Sequence, residues 1–236
     1  MKAGPGAPRA PIWLVTGTDT GVGKTYVACG LVRALRARGR RVAVRKPAET
    51  GCERRNGILH PADAAALHEA AGGAEMLEAV CPIRLEEPLA PAVAAARAGR
   101  PIAARSLVES CRRAAATADV LIIEGAGGLL VPLATNYSFA DLAGELAAGL
   151  IVVVGARLGA INHARLTVEA ARAHGLAVEG YVVNHFQPTR DTATATLAET
   201  LVPLLDAPCF AEIGFGEDPA SVLAASVLIG RTPGGS

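Results

Sequence analysis

Apolar residues along this chain cluster in short runs, and between the runs they recur at the three- and four-residue spacing of a helix. The runs predict strands at residues 12–15, 41–47, 119–123, 150–154, 178–183 and near 209–210. Because most of these runs are continuously apolar, both sides of such strands must be buried. The pattern predicts an α/β fold in which helices cover both faces of a mostly parallel sheet.

Helices are predicted in the intervals between these strands. They cover residues 26–37, 61–71, 92–100, 106–116, 162–174 and 191–205. Gly39 is a candidate C-cap of the first helix, and residues 50–59 are predicted to form a polar loop. Residues 1–10 and 230–236 are predicted to be a disordered lead-in and a flexible tail, which leaves residues 11–229 as a single domain.

The composition narrows the class of protein. Aromatic residues make up only 3% of the 236 residues and the net charge is +1. A nearly neutral chain favours neither nucleic acid nor a membrane surface as a partner. No apolar run of membrane-spanning length and no secretion signal is visible. The five cysteines are widely spaced, which predicts free thiols in a reducing compartment and hence a cytoplasmic protein.

The segment at residues 17–25, here called the phosphate loop, reads Gly-Thr-Asp-Thr-Gly-Val-Gly-Lys-Thr between a predicted strand and a predicted helix. In that context the backbone N–H groups of a glycine-rich turn and the helix N-terminus bind polyphosphate. The predicted backbone contacts with a nucleotide are Gly21, Val22 and Gly23. Lys24 is predicted to reach the terminal phosphates and Thr25 to ligate Mg²⁺. The alternative is a glycine-rich turn with a solvated lysine.

Two carboxylates are candidates for holding the metal ion. Glu124 ends the most apolar strand and precedes three glycines, so its carboxylate can hold Mg²⁺ opposite Thr25; the alternative is a rim carboxylate that caps a helix. Asp63 lies in the first turn of a predicted helix, where an acid is also ordinary compensation of the helix dipole. Because ligands bind outside the carboxyl ends of parallel strands, the phosphate loop, Lys46, Glu124 and Asn184 should share one rim.

Three further polar residues have alternative interpretations on the residues alone. Lys46 follows a strand and precedes a proline, so its amine could reach the rim or be solvated. Asn162 is predicted to be at least the N-cap of a helix. Asn184 ends a strand and could bind a nucleobase edge, although a strand-terminal asparagine is common. The histidines are scattered along the chain and predict no metal cluster.

Five segments can be compared as a series. After the phosphate loop come Lys-Pro-Ala-Glu-Thr-Gly at 46–51, Glu-Gly-Ala-Gly-Gly-Leu-Leu-Val-Pro at 124–132, Gly-Ala-Ile-Asn-His at 159–163 and Val-Asn at 183–184. In their order and separations, from about residue 12 to about residue 218, they resemble the dethiobiotin synthase family. The phosphate loop includes the extra residue of that family, since Gly17 lies one position earlier than in the usual spacing.

The resemblance implies a single-domain P-loop NTPase-like fold and a ligase activity. The family closes a ureido ring on 7,8-diaminononanoate with CO₂, ATP and Mg²⁺ in the penultimate step of biotin synthesis. One amine takes up CO₂ as a carbamate, ATP phosphorylates the carbamate, and the second amine attacks the mixed anhydride. Phosphoryl transfer depends on charge stabilisation more than on covalent catalysis, so cations gathered at one rim suit this reaction.

The resemblance also implies a role for each site residue. The catalytic residues are Lys24, Lys46 and Thr20. The nucleotide-binding residues beyond the phosphate loop are Asn184, Ile213 and Gly214. The substrate-binding residues are Thr20, Lys46, Thr50, Gly125, Gly127, Gly128 and Asn162. The metal ligands are Thr25, Asp63 and Glu124. In the family the diamine carboxylate is held at a helix start across a twofold interface, which implies a homodimer to which Asn162 contributes from the partner subunit.

Two segments depart from the family pattern. The family often has Ser-Pro-His where this chain has Ala-Pro-Ala at 90–92, and it usually has Gly-x-Ile-Pro where this chain has Ala-Glu-Ile-Gly at 211–214. The second segment shapes the nucleobase pocket in the family. The difference at 211–214 therefore affects the expected preference for ATP over other nucleotides more than it affects phosphate binding.

Two other classes of protein share the expected fold. Partitioning-type ATPases, which are switch proteins and the main alternative, carry a lysine where this chain has Asp19, and they bind DNA or membranes through features such as a basic patch, for which this sequence gives no sign. Ligases of the cobyrinate diamide synthase type usually carry a glutaminase domain, for which 236 residues leave no room. The ring-closing ligase is the favoured hypothesis.

Overall fold

Residues 10–226 are the part of the chain that the computed structural model describes. Their strands are β1 (Ile12–Gly17), β2 (Val42–Arg45), β3 (Ala48–Glu49), β4 (Glu53–Arg55), β5 (Ile58–His60), β6 (Ile83–Arg84), β7 (Val120–Gly128), β8 (Pro132–Ala134), β9 (Tyr137–Ser138), β10 (Gly149–Gly155), β11 (Val178–Asn184) and β12 (Cys209–Ile213). Their helices are α1 (Lys24–Ala37), α2 (Ala62–Ala70), α3 (Leu77–Val80), α4 (Pro91–Arg97), α5 (Ala104–Ala115), α6 (Phe139–Leu146), α7 (Ala160–Ala173), α8 (Thr192–Ala195), α9 (Leu197–Leu201) and α10 (Pro219–Ala224).

Six of these strands form one sheet in the order β12-β11-β10-β1-β7-β2. Every neighbouring pair in this sheet is parallel. β1 lies in the middle, with Leu14 opposite Leu150 of β10 on one side and Ile123 of β7 on the other. The predicted parallel sheet is confirmed, and its carboxyl ends meet at one edge.

Helices cover both faces of the sheet, as the continuous apolar runs predict. On one face α1, α2 and α10 pack over a core that includes Val15 and Ile122. On the other face α5 and α6 pack over Leu14 and Leu121, and α7 and α9 pack over Val152. Neighbouring residues of one strand such as Leu14 and Val15 are both fully buried because they enter opposite cores.

Residues 53–60 form a hairpin, so the polar loop predicted there is wrong. β4 and β5 pair antiparallel around Asn56 and Gly57, whose φ angles are 50° and 80°. Asn-Gly is a favoured two-residue hairpin turn because both residues tolerate positive φ. The strands were not predicted because β4 consists of exposed charged residues and has no apolar face.

Two predicted helix features also need correction. Asn162 is not an N-cap: α7 begins at Ala160 after Gly159, whose φ of 88° few other residues would adopt. The helix predicted at 191–205 is divided into α8 and α9 at Thr196. Threonine hydroxyls bond to backbone oxygens in this stretch, for example from Thr200 to Thr196 at 2.7 Å, and such bonds compete with regular helix geometry.

Other expectations concern the chain ends and the cysteines. The predicted lead-in at 1–10 and tail at 230–236 lie outside the described residues, except for residue 10. α6, α10 and the β8–β9 pair occupy segments for which the sequence predicted no element.

All five cysteines lie within the described part and are free, and only Cys209 is not fully buried. Across residues 10–226 no helix has the length and apolar character needed to cross a membrane.

Candidate active site

The phosphate loop connects β1 to α1, as the glycine pattern predicts. α1 begins at Lys24, and Gly23 precedes it with a φ of 90°. A side chain is also disfavoured at Gly17, because a Cβ there would lie 2.8 Å from the carbonyl oxygen of Asp19. These glycines permit the tight turn into the helix, whose N-terminus provides positive potential for an anion.

Lys24 is folded over the phosphate loop. Its Nζ donates a hydrogen bond to the carbonyl oxygen of Asp19 at 3.0 Å, and the residue is 7% exposed. Burial and the neighbouring Lys46 ammonium lower the pKa of Lys24, against the opposing effect of nearby carboxylates, chiefly Glu124. A solvated lysine, the alternative considered from the sequence, does not describe this residue.

Lys46 brings a second cation to the same rim. Its Nζ lies 2.6 Å from Oε1 of Glu124 and 3.1 Å from Oδ2 of Asp63, and it donates to the carbonyl oxygen of Gly125 at 3.3 Å. Burial alone would lower the pKa of Lys46, but the carboxylates of Glu124 and Asp63 outweigh burial and raise that pKa above its ordinary value. Lys46 is therefore a buried ammonium ion at neutral pH.

Oxygen atoms suitable for a metal ion surround this ammonium group. The Thr25 hydroxyl donates to Oε1 of Glu124 at 2.8 Å. Oε2 of Glu124 is buried and has no hydrogen-bond partner among the described residues. Burial acts to raise the pKa of Asp63, but the Lys46 ammonium and the Thr25 hydroxyl hold it below its ordinary value. Two carboxylates and a hydroxyl are the hard oxygen donors that Mg²⁺ prefers, so this donor set fits the ion.

A cavity of about 290 Å³ lies between the phosphate loop and the glycine-rich end of β7. The predicted site residues in its lining are Thr20, Gly21, Gly23, Lys24, Thr25, Lys46, Thr50, Asp63, Glu124 and Gly127. Gly127 has a φ of 64°, and a Cβ there would lie 3.4 Å from the Thr20 hydroxyl. Gly128 lies opposite Gly17 in the register of β1 and β7. Glycine at these positions leaves the backbone accessible at the cavity wall.

Asn184 braces the phosphate loop from the neighbouring strand. Its Nδ2 donates to the carbonyl oxygen of Val22 at 2.9 Å, and a Cβ on Gly23 would lie 2.2 Å from that nitrogen. Ile213 is opposite Asn184 in the sheet and is fully buried, and the N–H of Gly214 donates to Glu217 at 2.7 Å. The predicted nucleobase residues thus lie beside the phosphate loop, outside the lining of the 290 Å³ cavity.

Asn162 lies apart from that cavity. It lines a second cavity of about 560 Å³ beside α7, which Arg157 also lines. The Arg157 guanidinium pairs with the Asp19 carboxylate of the phosphate loop, which connects the lining of the second cavity to that loop. Leu158 is 83% exposed on this surface. Within one chain Asn162 is not brought together with the other predicted substrate residues.

Two residues at or beside the site were not predicted from the sequence. Glu49 lines the 290 Å³ cavity and is buried. Its position between Lys46 and Thr50, which were both predicted to be site residues, could have indicated it. Burial raises the pKa of Glu49, against the opposing effect of hydrogen bonds from the N–H groups of Ala64 and Asp63. Arg157 pairs with Asp19 across 138 positions of the chain, and no local pattern signals such a contact.

Comparisons with known proteins point to one family. A family model described as an AAA domain matches residues 13–208. The chain is 47% identical over 190 residues to the ATP-dependent dethiobiotin synthetase BioD of Anaeromyxobacter dehalogenans (strain 2CP-C), covering 80% of this chain and 83% of the relative. It is 43% identical over 228 residues to the ATP-dependent dethiobiotin synthetase BioD of Aromatoleum aromaticum, covering 94% and 99%. The protein of the same name from Pseudomonas aeruginosa (strain UCBPP-PA14) is 42% identical, with coverages of 91% and 95%.

Solved structures share the fold at lower identity. The cell division protein FtsY of Thermotoga maritima is 18% identical with a TM-score of 0.51, and the match covers 91% of this chain and 65% of that one. The chloroplast FtsY of Physcomitrella patens is 19% identical with a TM-score of 0.51, with coverages of 91% and 62%. The chain thus spans a little under two thirds of the length of these structures. The likeness concerns the fold alone and agrees with the predicted P-loop NTPase-like architecture.

Proposed function

The chain belongs to the ATP-dependent dethiobiotin synthetase family, and from this premise we propose that it closes the ureido ring of dethiobiotin. The substrates are 7,8-diaminononanoate, CO₂ and ATP, and the products are dethiobiotin, ADP and phosphate. The observation that carries this proposal is the Lys46 ammonium, held between Glu124 and Asp63 at the wall of the cavity that the phosphate loop lines. That arrangement suits a reaction in which phosphoryl charge develops beside a second, non-nucleotide substrate.

The ring closure divides into three steps. One amine of the diamine attacks CO₂ and loses a proton, which gives a carbamate. A carbamate oxygen then attacks the γ-phosphorus of ATP, the bond to the β–γ bridging oxygen breaks, and ADP leaves. Finally the second amine attacks the carbonyl carbon of the mixed anhydride, loses a proton and expels phosphate. In all three steps negative charge gathers on oxygen atoms, which positioned cations stabilise.

Lys24 and Lys46 have different positions in this scheme. Lys24 lies within the phosphate loop and would bind the terminal phosphates of ATP. Lys46 lies between that loop and Gly125 and would bind the carbamate and the phosphoryl group that moves toward it. Because its pKa is raised by Glu124 and Asp63 against the effect of burial, Lys46 would act as a fixed cation and not as a proton donor.

Thr25, Asp63 and Glu124 would hold Mg²⁺ together with phosphate oxygens of ATP. The buried Oε2 of Glu124, which has no partner among residues 10–226, is the atom that most directly supports this assignment, because a buried carboxylate oxygen without a donor is unusual. When bound, the ion supplies positive charge to the phosphates. The proposed set contains only two carboxylates beside the Thr25 hydroxyl, and within the described part of the chain there is no group of three or more His, Cys, Asp or Glu residues arranged to hold a metal.

The remaining site residues would bind the two organic substrates. Thr20, Thr50 and the backbone at Gly125, Gly127 and Gly128 would contact the diamine or its carbamate. Asn184 and the backbone of Ile213 and Gly214 would border the adenine. Asn162 would serve the active site of a partner subunit in a homodimer, and the exposed Leu158 beside it is an apolar surface suited to such an interface. We place the enzyme in the cytoplasm.

Phosphate release from ATP tests this function directly. We expect release to require Mg²⁺, 7,8-diaminononanoate and bicarbonate together, with dethiobiotin formed in equal amount. Hydrolysis that proceeds without the diamine and is stimulated by DNA or lipid vesicles would overturn the proposal in favour of a partitioning-type ATPase. Asp63→Asn is a useful companion variant, because it keeps the side-chain shape and removes the charge proposed to hold Mg²⁺.

A further inference from the structure

Glu49 makes contacts that no step of the reaction uses. Its side chain is buried, and its two carboxylate oxygens accept hydrogen bonds from two successive backbone N–H groups, from Asp63 to Oε1 at 3.0 Å and from Ala64 to Oε2 at 2.9 Å. These N–H groups lie in the first turn of α2, where the backbone has no partner within the helix. A residue 14 positions away in the chain therefore supplies the cap.

Among residues 10–226 no other side chain caps the start of α2. Pro61 occupies the N-cap position and makes no side-chain hydrogen bond there. Without Glu49 the N–H groups at the start of the helix would depend on water, and the first turn would be free to shift. The residue most affected would be Asp63, because one of the two bonds is made by its own N–H.

Glu49 is itself firmly placed. It lies in β3, where it is opposite Arg84 of β6, and its carbonyl oxygen accepts a hydrogen bond from the N–H of Leu85 at 2.9 Å. Lys46 is three residues earlier on the same segment, and its N–H donates to the carbonyl oxygen of Val80 at 2.9 Å. The segment that carries Lys46 thus also fixes the start of the helix that carries Asp63.

We propose that Glu49 is a positioning residue, which sets the Asp63 carboxylate beside Lys46 and Thr25 by binding the backbone at the start of α2. This inference rests on the proposed function, in which Asp63 holds Mg²⁺. It adds that the affinity for the ion depends on a carboxylate that does not contact the ion. The hairpin of β4 and β5 lies between the two residues in the chain, and the Glu49–Asp63 contact closes that segment at its base.

Three substitutions separate positioning from simple stabilisation. Glu49→Ala removes both bonds, Glu49→Gln keeps the shape but leaves only one oxygen acceptor, and Glu49→Asp keeps the charge on a shorter side chain. Glu69→Ala is the matched control, because Glu69 is an exposed glutamate on the same helix. For each protein we would measure Mn²⁺ binding in the presence of ADP by electron paramagnetic resonance, the half-saturating Mg²⁺ concentration in turnover, and the thermal midpoint.

We expect Glu49→Ala to weaken Mn²⁺ binding by about tenfold and to raise the half-saturating Mg²⁺ concentration by a similar factor. This is the lower end of the range of losses typical for residues that orient metal ligands. Glu49→Gln should have a smaller effect of the same sign, Glu49→Asp should recover part of the affinity, and Glu69→Ala should match the wild type. At saturating Mg²⁺ the kcat should change far less than the metal affinity. In an Asp63→Asn background Glu49→Gln should add little, since both changes act through one carboxylate.

Unchanged Mn²⁺ affinity in Glu49→Gln, with or without a lower thermal midpoint, would overturn the inference. So would full additivity of Glu49→Gln and Asp63→Asn, because the two residues would then act independently. If Glu49→Ala does not fold, the near-isosteric Glu49→Gln still gives the result. In a further outcome the wild type binds Mn²⁺–ADP more tightly than the Glu49 variants and yet shows no diamine-dependent turnover. That result would refute the proposed function and leave the positioning role intact.

Discussion

Two ion pairs flank the stretch over which the neighbouring strands β2 and β7 pair, one at each end of it. At the amino ends Arg41 pairs with Asp119, and their side chains are 72% and 30% exposed. At the carboxyl ends Lys46 pairs with Glu124, and their side chains are 3% and 0% exposed. The two pairs bracket one strand register, in which Val42 is opposite Val120.

The difference between the pairs lies in how completely each is satisfied. Asp119 accepts hydrogen bonds from the backbone N–H and from the guanidinium of Arg41, and water can reach both side chains. Lys46 is shared between two carboxylates, while Oε2 of Glu124 has no partner among the described residues. Removing two charges from water costs more than an imperfect pair returns. The carboxyl-end pair is therefore weak evidence for a stabilising role, which agrees with the catalytic role that we propose for it.

The largest expected effect is on turnover. Lys24→Ala and Lys46→Ala should each lower kcat by on the order of a hundredfold or more, because each removes a cation from the site where phosphoryl charge develops. Arg41→Ala removes a cation from the other end of the same strand pair and should leave kcat unchanged. Diamine-dependent phosphate release at saturating ATP and Mg²⁺ measures all three. Normal turnover in Lys46→Ala would remove this residue from the mechanism.

The next effect concerns folding stability at the carboxyl end. Lys46→Met leaves Glu124 buried without its cation, and we expect the free energy of unfolding to fall by about 3–5 kcal/mol. Adding Glu124→Leu should restore most of that loss, since two apolar side chains need no desolvation. Urea unfolding of the single and double variants measures this coupling.

A double variant as unstable as Lys46→Met would contradict the argument, because it would mean that the ion pair stabilises the fold beyond what an apolar pair of similar size provides. A double variant that is as stable as the wild type and inactive would sharpen it. The charges at this end of the sheet would then be required for the reaction and dispensable for the fold.

The sequence could predict that Lys46 and Glu124 share one rim, because strand ends are visible in apolar patterns and ligands bind at the carboxyl ends of parallel strands. Their contact could not be predicted, because it also requires β2 and β7 to be neighbours with Arg45 opposite Ile123. Asp63 was ambiguous from the residues alone, since an acid in the first turn of a helix is common. The family resemblance, and not the local pattern, favours Asp63 as a metal ligand.

Other contacts could not be predicted because their partners are not encoded by residue type. Glu49 binds backbone N–H groups, which every residue except proline provides. Asp19 follows β1 and Arg157 follows β10, so their contact exists because these two strands are neighbours in the sheet. Asn162 was misassigned as an N-cap because glycine in a left-handed conformation can begin a helix without a side-chain cap, as Gly159 does.

At the amino ends we expect a small effect on stability. Arg41→Ala removes a pair in which the cation is largely exposed, and exposed pairs gain little because water and salt screen them. The thermal midpoint should therefore fall by about 2 °C or less, because a loss of about 1 kcal/mol lowers the midpoint of a protein of this size by about 2–4 °C. A drop as large as that of Lys46→Met would show that exposure does not distinguish the two pairs.

The smallest expected effect is the pH dependence of this difference. Hydrogen bonds from the side chain and then the backbone N–H of Arg41 lower the pKa of Asp119 below its ordinary value of 3.8. A carboxylate whose pKa is lowered by folding contributes stability above its unfolded pKa and loses it as the pH falls through its folded pKa. The midpoints of wild type and Arg41→Ala should thus differ by a constant amount from about pH 5 to 7 and converge below about pH 4, near the unperturbed pKa of aspartate.

Other carboxylates titrate in both proteins and cancel in the comparison. In an Asp119→Asn background the effect of Arg41→Ala should no longer depend on pH. Midpoints that diverge further in acid would reverse the sign of this argument.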